Sequence, residues 1–297
     1  MGTLIAQLIG GLSLGSLYAL LALGFVIVFK STRVFNLAQG SLLLVGVLTV
    51  ARLEPQFGFY TALVLGIAVG SIVAAAIYYF LCRRVTGSDT VVLLAIMMIV
   101  IDLALTTESR RQIGTGIIPL STPWGDATLQ IAGATVPVSR VVTVLVAFVV
   151  LLAFFAALRY TSAGIAMRAN AEDQEAAALS GISTSRVSTS AWLIGGALTV
   201  IAGIFLVSFP TPGLEVGVGA TALRALPAVM LGGVDSFLGA VVGGMCIGVA
   251  EALAAGYQPY LAFLGIGLSG VVPYLVLIVA LLWRPQGLFG SKEAVRV

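Results

Sequence analysis

The sequence predicts an all-α fold: a polytopic transmembrane helical bundle of about eight or nine spans, with a broken helix and a helical connection on the cytoplasmic side. Three observations predict it. The chain is 60% hydrophobic and 9% charged, with a mean hydropathy of +1.13, whereas soluble proteins carry about 25% charged residues. Apolar runs long enough to cross about 30 Å of hydrocarbon recur along the whole length. The Arg and Lys residues lie between those runs, where they orient a chain in a bilayer.

The runs lie at about residues 3–29, 36–53, 59–81, 90–107, 141–158, 187–209, 237–257 and 261–283. A ninth, shorter run at about 220–233 ends in Gly232-Gly233 and a turn-like flank, Val234-Asp235-Ser236. Such a broken helix is tolerated only where protein or a water-filled cavity surrounds the loose backbone. The first run has no basic leader and no small-residue cleavage site, so it reads as a span and not as a signal peptide. The whole chain, 1–297, reads as one transmembrane domain.

Nine crossings with a cytoplasmic C-terminus put ten basic residues inside, among them Lys30, Arg83, Arg84, Arg168, Lys292 and Arg296. The five outside are Arg52, Arg110, Arg111, Arg140 and Arg224. That bias favours an outer N-terminus. Were 220–233 re-entrant, the N-terminal half would flip. Two connections stand out. The outer one, 108–139, carries a small hairpin with Thr128-Leu129-Gln130-Ile131 and Thr135-Val136-Pro137-Val138 on either side of 132–134. The inner one, 160–185, reads as a single helix capped by Thr161 or Ser162 and closed by Gly181.

Composition excludes several chemistries. There is no His, which removes imidazole metal sites, His-based triads and His proton relays. Cys82 and Cys246 form no paired motif and read as buried apolar thiols. Lys30 and Lys292 are the only lysines and neither follows a Gly-rich loop, so this chain lacks a P-loop nucleotide site. The expectation is a non-enzyme with no cofactor, no metal and no nucleic-acid partner.

Inside the inner connection, Glu175-Ala176-Ala177 followed by Gly181 makes a surface helix with a small-residue face. Such a helix fits another protein's groove, with Arg168, Glu172, Asp173 and Glu175 as a polar rim; an ordinary solvated loop helix is the plainer reading. Asn36 and Gln39 lie on nearly one face and either line the inner mouth of a pathway or cap a helix. The ionisable residues Asp102, Arg224 and Glu251 fall within apolar runs, where each is a functional candidate by default. Snorkelling or an Arg224–Glu251 pair is the simpler account, above all for Glu251, and Asp102, lying deeper, is a pathway candidate. Small residues four apart, at Gly66/Gly70, Gly239/Gly243 and Gly244/Gly248, suit close helix packing within the chain.

These motifs carry a resemblance. Gly15-Ser16-Leu17-Tyr18-Ala19-Leu20, Phe35-Asn36-Leu37-Ala38-Gln39-Gly40, Glu175-Ala176-Ala177 with Gly181, Leu231-Gly232-Gly233-Val234-Asp235-Ser236 and Arg284-Pro285-Gln286-Gly287-Leu288-Phe289-Gly290 occur in this order. In these blocks the chain resembles the branched-chain amino acid (Liv-type) permeases of ABC importers. One departure is Gln39-Gly40-Ser41, where the family usually has Glu after the Gly and often His before it. The resemblance implies a permease subunit in a bacterial inner membrane that translocates branched-chain or related amino acids. Implied partners are a second homologous permease, two cytoplasmic ATPase subunits and an extracytoplasmic binding protein. Arg168, Glu172, Glu175, Ala176, Ala177 and Gly181 would couple to the ATPase. Tyr18, Asn36, Gln39, Asp102, Gly232 and Gly233 are the pathway or gate residues. The rival readings are an ion-gradient-driven secondary transporter of small polar solutes, and a channel. The inner helix separates them, since a carrier needs no docking element for an ATPase.

Overall fold

A computed structural model describes residues 2–85, 90–125, 127–131, 133–208, 213–258, 260 and 267–290. Lys292 and Arg296, assigned to the inner side, lie outside the described residues, as does the start of the run at 261. The long apolar runs become α1 (Gly2–Thr32), α2 (Gln39–Phe57), α3 (Phe59–Phe80), α4 (Thr90–Ile113) and α5 (Val138–Tyr160). After two short helices, α6 (Ser162–Glu172) and α7 (Gln174–Leu179), comes α8 (Thr184–Leu206). The chain then forms α9 (Val218–Leu223), α10 (Leu226–Gly232), α11 (Phe237–Tyr257) and α12 (Leu268–Trp283). Among the described residues, six helices are long and apolar enough to cross a membrane: α1, α3 with its 3₁₀ extension to Arg84, α4, α5, α8 and α11. The 19-residue α2 carries Arg52, Glu54 and Pro55 near its end, and α12 has 16 residues, about 24 Å of rise.

Three expectations change. The run at 220–233 is not one helix: it breaks at Arg224-Ala225 as well as at Gly233, leaving pieces of six and seven residues, α9 and α10. Pro227 has no amide hydrogen to give and so suits the start of a helix better than its interior. The inner connection also breaks, at Asp173, whose extended backbone ends α6 and caps α7. The outer connection is shorter than 108–139, because α4 continues to Ile113. Its hairpin is present, with β2 (Thr128–Ile131) antiparallel to β3 (Ala134–Pro137) and Ile131 opposite Ala134. A second short pairing joins β1 (Ile118–Pro119) to β4 (Gly213–Leu214).

The chain forms two compact units. The first comprises Met1–Val26, Trp124–Ala147 and Arg224–Val297; the second comprises Ile27–Pro123 and Phe148–Leu223. In the first, α11 uses its four spaced glycines on two faces. Gly239 and Gly243 meet the α10 backbone at Gly232 and Ala228, while Gly244 and Gly248 meet the α1 backbone at Ala19 and Gly15. Cys246 sits on neither face and is exposed, contrary to the expectation of two buried thiols; Cys82 is buried. In the second unit, α2, α3 and α8 pack through Gly46, Gly66, Gly70 and Gly196, with Val200 of α8 set against Gly46 and Gly70. Lipid tails are as apolar as Leu, so burial of Leu gives little drive between such helices, and close backbone approach supplies the contact instead. On α4, by contrast, large apolar side chains point outward: Ile96, Ile99, Val100 and Leu103 are all more than half exposed.

This packing predicts a sharp contrast between glycines. Gly248→Val should cost about 1–3 kcal/mol by overpacking against α1. Gly270→Ala in α12, where a Cβ has open space around it, should be neutral or stabilise by about 0.4–1 kcal/mol. Thermal unfolding in detergent distinguishes them, and equal losses in both variants would remove the packing account.

Candidate functional site

The connection between α5 and α8 is built to present a short helix. Thr161 caps α6 by accepting the Gly164 amide at 3.0 Å. The Asp173 carboxylate then accepts the amides of Glu175 and Ala176 at 2.9 and 3.0 Å, which starts α7. Its end is a Schellman closure: Ile182 N–H donates to the Ala177 carbonyl and Gly181 N–H to that of Ala178, both at 3.0 Å. Gly181 has φ of +83°, the left-handed conformation that this closure requires. Within α7 only Ala177 is buried, while Glu175, Ala176 and Leu179 are exposed, Leu179 at 91%. Arg168 and Glu172 are exposed on α6. Of the six expected coupling residues, the structure thus groups five on an accessible surface and turns Ala177 inward as the packing contact.

An interaction absent from the sequence reading anchors this connection. The last turn of α1 leaves carbonyls without intrahelical donors. The Ser31 carbonyl there accepts from Asn170 Nδ2 (3.4 Å), Gln174 Nε2 (2.8 Å) and Ser188 Oγ (3.0 Å). These donors come from α6, α7 and α8. One backbone oxygen therefore ties three elements to the end of α1. A cavity of about 210 Å³ adjoins it, lined by Ser31, Gln174, Ser188, Tyr78 and Cys82.

In the first unit, the expected Arg224–Glu251 pair forms at 3.2 Å, at the break between α9 and α10. Tyr18 completes it, its hydroxyl donating to the other Glu251 oxygen at 2.7 Å. Tyr18 is fully buried and Glu251 nearly so. The buried carboxylate is thus held by a guanidinium on one oxygen and a phenol on the other. Tyr18 belongs to this network, and its tie to Glu251 was not legible because 233 residues separate them.

Asp102 is engaged differently. The N-cap position of α2 is Ala38, which offers no side-chain acceptor. Asp102 Oδ1, from α4, accepts the Ser41 amide at 3.2 Å and so caps α2 from a neighbouring helix. The cap thus comes from Asp102, and not from Asn36 as one reading expected. Asn36 and Gln39 are buried at this helix start, and the Asn36 side-chain oxygen meets no donor among the described residues. Asp102 also borders a cavity of about 280 Å³ within the second unit, together with Thr106 and Arg110 of α4. Positions 102, 106 and 110 share one helix face by their spacing of four, a signal that sequence alone carries. Gly40, Leu44, Val216, Gly217, Gly219, Ala220 and Leu223 form the remaining walls.

Gly232 and Gly233 receive the chain's own C-terminal segment. The carbonyls of Leu231 and Gly232 accept the amides of Leu288 and Phe289 at 2.8 and 3.0 Å, satisfying the end of α10. Gly233, with φ of +100°, lies against Gly290, and its missing side chain makes room for that segment. Ser236 caps α11 through the Gly239 amide at 2.9 Å. The glycine pair and the Arg284-to-Gly290 block thus pack against each other.

Comparison with known proteins places these features in context. The family model for the branched-chain amino acid transport system permease component matches residues 7–281. The chain is 32% identical to the high-affinity branched-chain amino acid transport system permease protein LivH of Escherichia coli (strain K12), covering 98% of this chain and 97% of that one. It is 27% identical to BraD of Pseudomonas aeruginosa, a permease protein of the same description, at the same coverage. The probable branched-chain amino acid transport permease protein LivH of Methanocaldococcus jannaschii is 30% identical, over 95% of this chain and 91% of its own. No solved structure gives a significant match.

Two outcomes follow from the geometry. Tyr18→Phe should cost about 1–2 kcal/mol by removing a charge-assisted interhelical hydrogen bond. In a Glu251→Gln background the same change should cost clearly less, and a thermal-stability double-mutant cycle showing no coupling would contradict the network. Asp173→Ala should loosen α7 by about 1 kcal/mol. Hydrogen exchange would read this as faster exchange at Glu175 and Ala176 with α8 unaffected.

Proposed function

Because the chain belongs to the branched-chain amino acid permease family, we propose that it is the membrane-spanning subunit of an ABC importer for branched-chain or related amino acids. It works in a bacterial inner membrane beside a second, homologous permease. Two cytoplasmic ATPase subunits drive it, and an extracytoplasmic binding protein delivers the substrate. The observation that carries this reading is the match over residues 7–281 in a chain whose α7 is exposed, doubly capped and tied to α1. The absence of a P-loop in the sequence assigns ATP hydrolysis to the partners.

On this reading α7 is the coupling helix. Its small face at Ala176 allows close approach to a partner, Leu179 supplies an apolar anchor, and Glu175 and Arg168 form a polar rim. A push on α7 reaches α1 through the Gln174–Ser31 hydrogen bond, and α8 through the Schellman turn that leads into it. Nucleotide then biases inward- and outward-open states through its different affinity for each. Asp102, engaged as a helix cap, supports this reading over an ion-driven carrier that would keep a midplane carboxylate for its coupling ion.

The test is placement and partnership. Ser180→Cys, exposed at the end of α7, should react with a membrane-impermeant maleimide only from the cytoplasmic side and should cross-link to an ATPase subunit in the assembled complex. Reaction from the outside alone would overturn both topology and coupling. The purified chain alone should hydrolyse no ATP. Proteoliposomes holding the full assembly should take up labelled leucine only with ATP and liganded binding protein.

A further inference from the structure

We propose that the 280 Å³ cavity at the start of α2 is a binding subsite for one zwitterionic α-amino acid with an aliphatic side chain. Asp102 faces the ammonium group, Arg110 faces the carboxylate, and Leu44, Ala220 and Leu223 surround the side chain. The inference rests on the permease reading above and adds where within this chain the substrate pauses.

Residues 102, 106 and 110 form one face of α4 and all three border the cavity, with about 12 Å of helix rise between the first and the last. Asp102 uses one oxygen to cap α2 and keeps its second oxygen, and a carboxylate offers about four acceptor sites in all. Among the described residues, the Arg110 side chain, exposed in the last turn of α4, makes no ion pair and no hydrogen bond, so its guanidinium is open to a ligand. A carboxylate and a guanidinium thus border the same cavity without meeting. The long Arg110 side chain can lean back along α4 past Thr106, whose position on the helix lies between the two charged residues.

A zwitterion is the ligand that answers both ends. A simple anion would be repelled by Asp102 and a simple cation by Arg110. A hard metal ion would need several more oxygen ligands than one carboxylate supplies, and an acyl chain would gain nothing from either charge. The rest of the wall is apolar, as ligand sites generally are, and the volume sits just below the usual 300–1,000 Å³ range, which suits one amino acid and not a peptide. Backbone at Gly217 and Gly219 brings the start of α9 onto the cavity, so the ligand would touch the helix piece that precedes the break at Arg224-Ala225.

Uptake by the assembled transporter in proteoliposomes, at saturating liganded binding protein, tests this. Ala220→Leu fills the aliphatic end and should lower the leucine rate about tenfold or more, with valine less affected. A general structural defect would lower both alike. Arg110→Gln, a change at an exposed side chain, should lower both rates about tenfold, and Arg110→Lys should restore part of the loss. Asp102→Asn is a weaker test, because Asp102 also caps α2. If the wild-type assembly takes up no branched-chain amino acid, the permease reading itself fails. If the wild type transports and Ala220→Leu leaves the leucine-to-valine ratio unchanged, the subsite is overturned. Should Ala220→Leu fail to assemble, Arg110→Gln decides, and an unchanged rate refutes the proposal.

Discussion

A helix that ends out of reach of water must find partners for its loose amides and carbonyls inside the protein, and this requirement organises the chain. Two breaks, between α1 and α2 and between α10 and α11, create four such ends, and each end is answered by a specific group. The start of α2 takes Asp102, the end of α1 takes Asn170, Gln174 and Ser188, the end of α10 takes the amides of Leu288 and Phe289, and the start of α11 takes Ser236. Much of the polarity in a chain that is only 9% charged is engaged in this way.

The second organising force is close backbone approach. With lipid as solvent, apolar burial between helices brings little, and the chain packs through glycine. The two faces of α11 illustrate this: one glycine pair seats α10 and the other seats α1, leaving no spaced glycine pair of that helix on an open surface. The buried carboxylate of Glu251 in this unit is accommodated by Tyr18 and Arg224 together, so its burial is compensated on both oxygens. Arg224 lies at the break between α9 and α10, which links the irregular backbone there to α11.

These two constraints leave α7 lightly held. α7 contributes almost no buried surface of its own and is held by caps, a Schellman turn and the Gln174 bond to Ser31. It can shift without unpacking a core, and any shift bears on the end of α1. Rigid helices joined by a few directional bonds transmit displacement better than a fluid apolar contact does.

The sequence by itself determined the class, most helices and the Gly181 closure, and it offered the Thr161 cap and the Arg224–Glu251 pair each as one of two readings. All of these rest on local periodicity, on residue chemistry within a turn or two, or on the shortage of partners for charge in hydrocarbon. Tertiary structure decided what local pattern cannot encode. It broke the 220–233 run twice and the inner helix at Asp173, and it exposed Cys246 by turning α11's glycines toward α1 and α10. It also brought Tyr18 to Glu251, Asp102 to Ser41 and three donors to Ser31 across 233, 61 and up to 157 positions. Hydropathy reports that a residue is buried, whereas its partner depends on which helices become neighbours, and that is settled only by the packing of the whole chain.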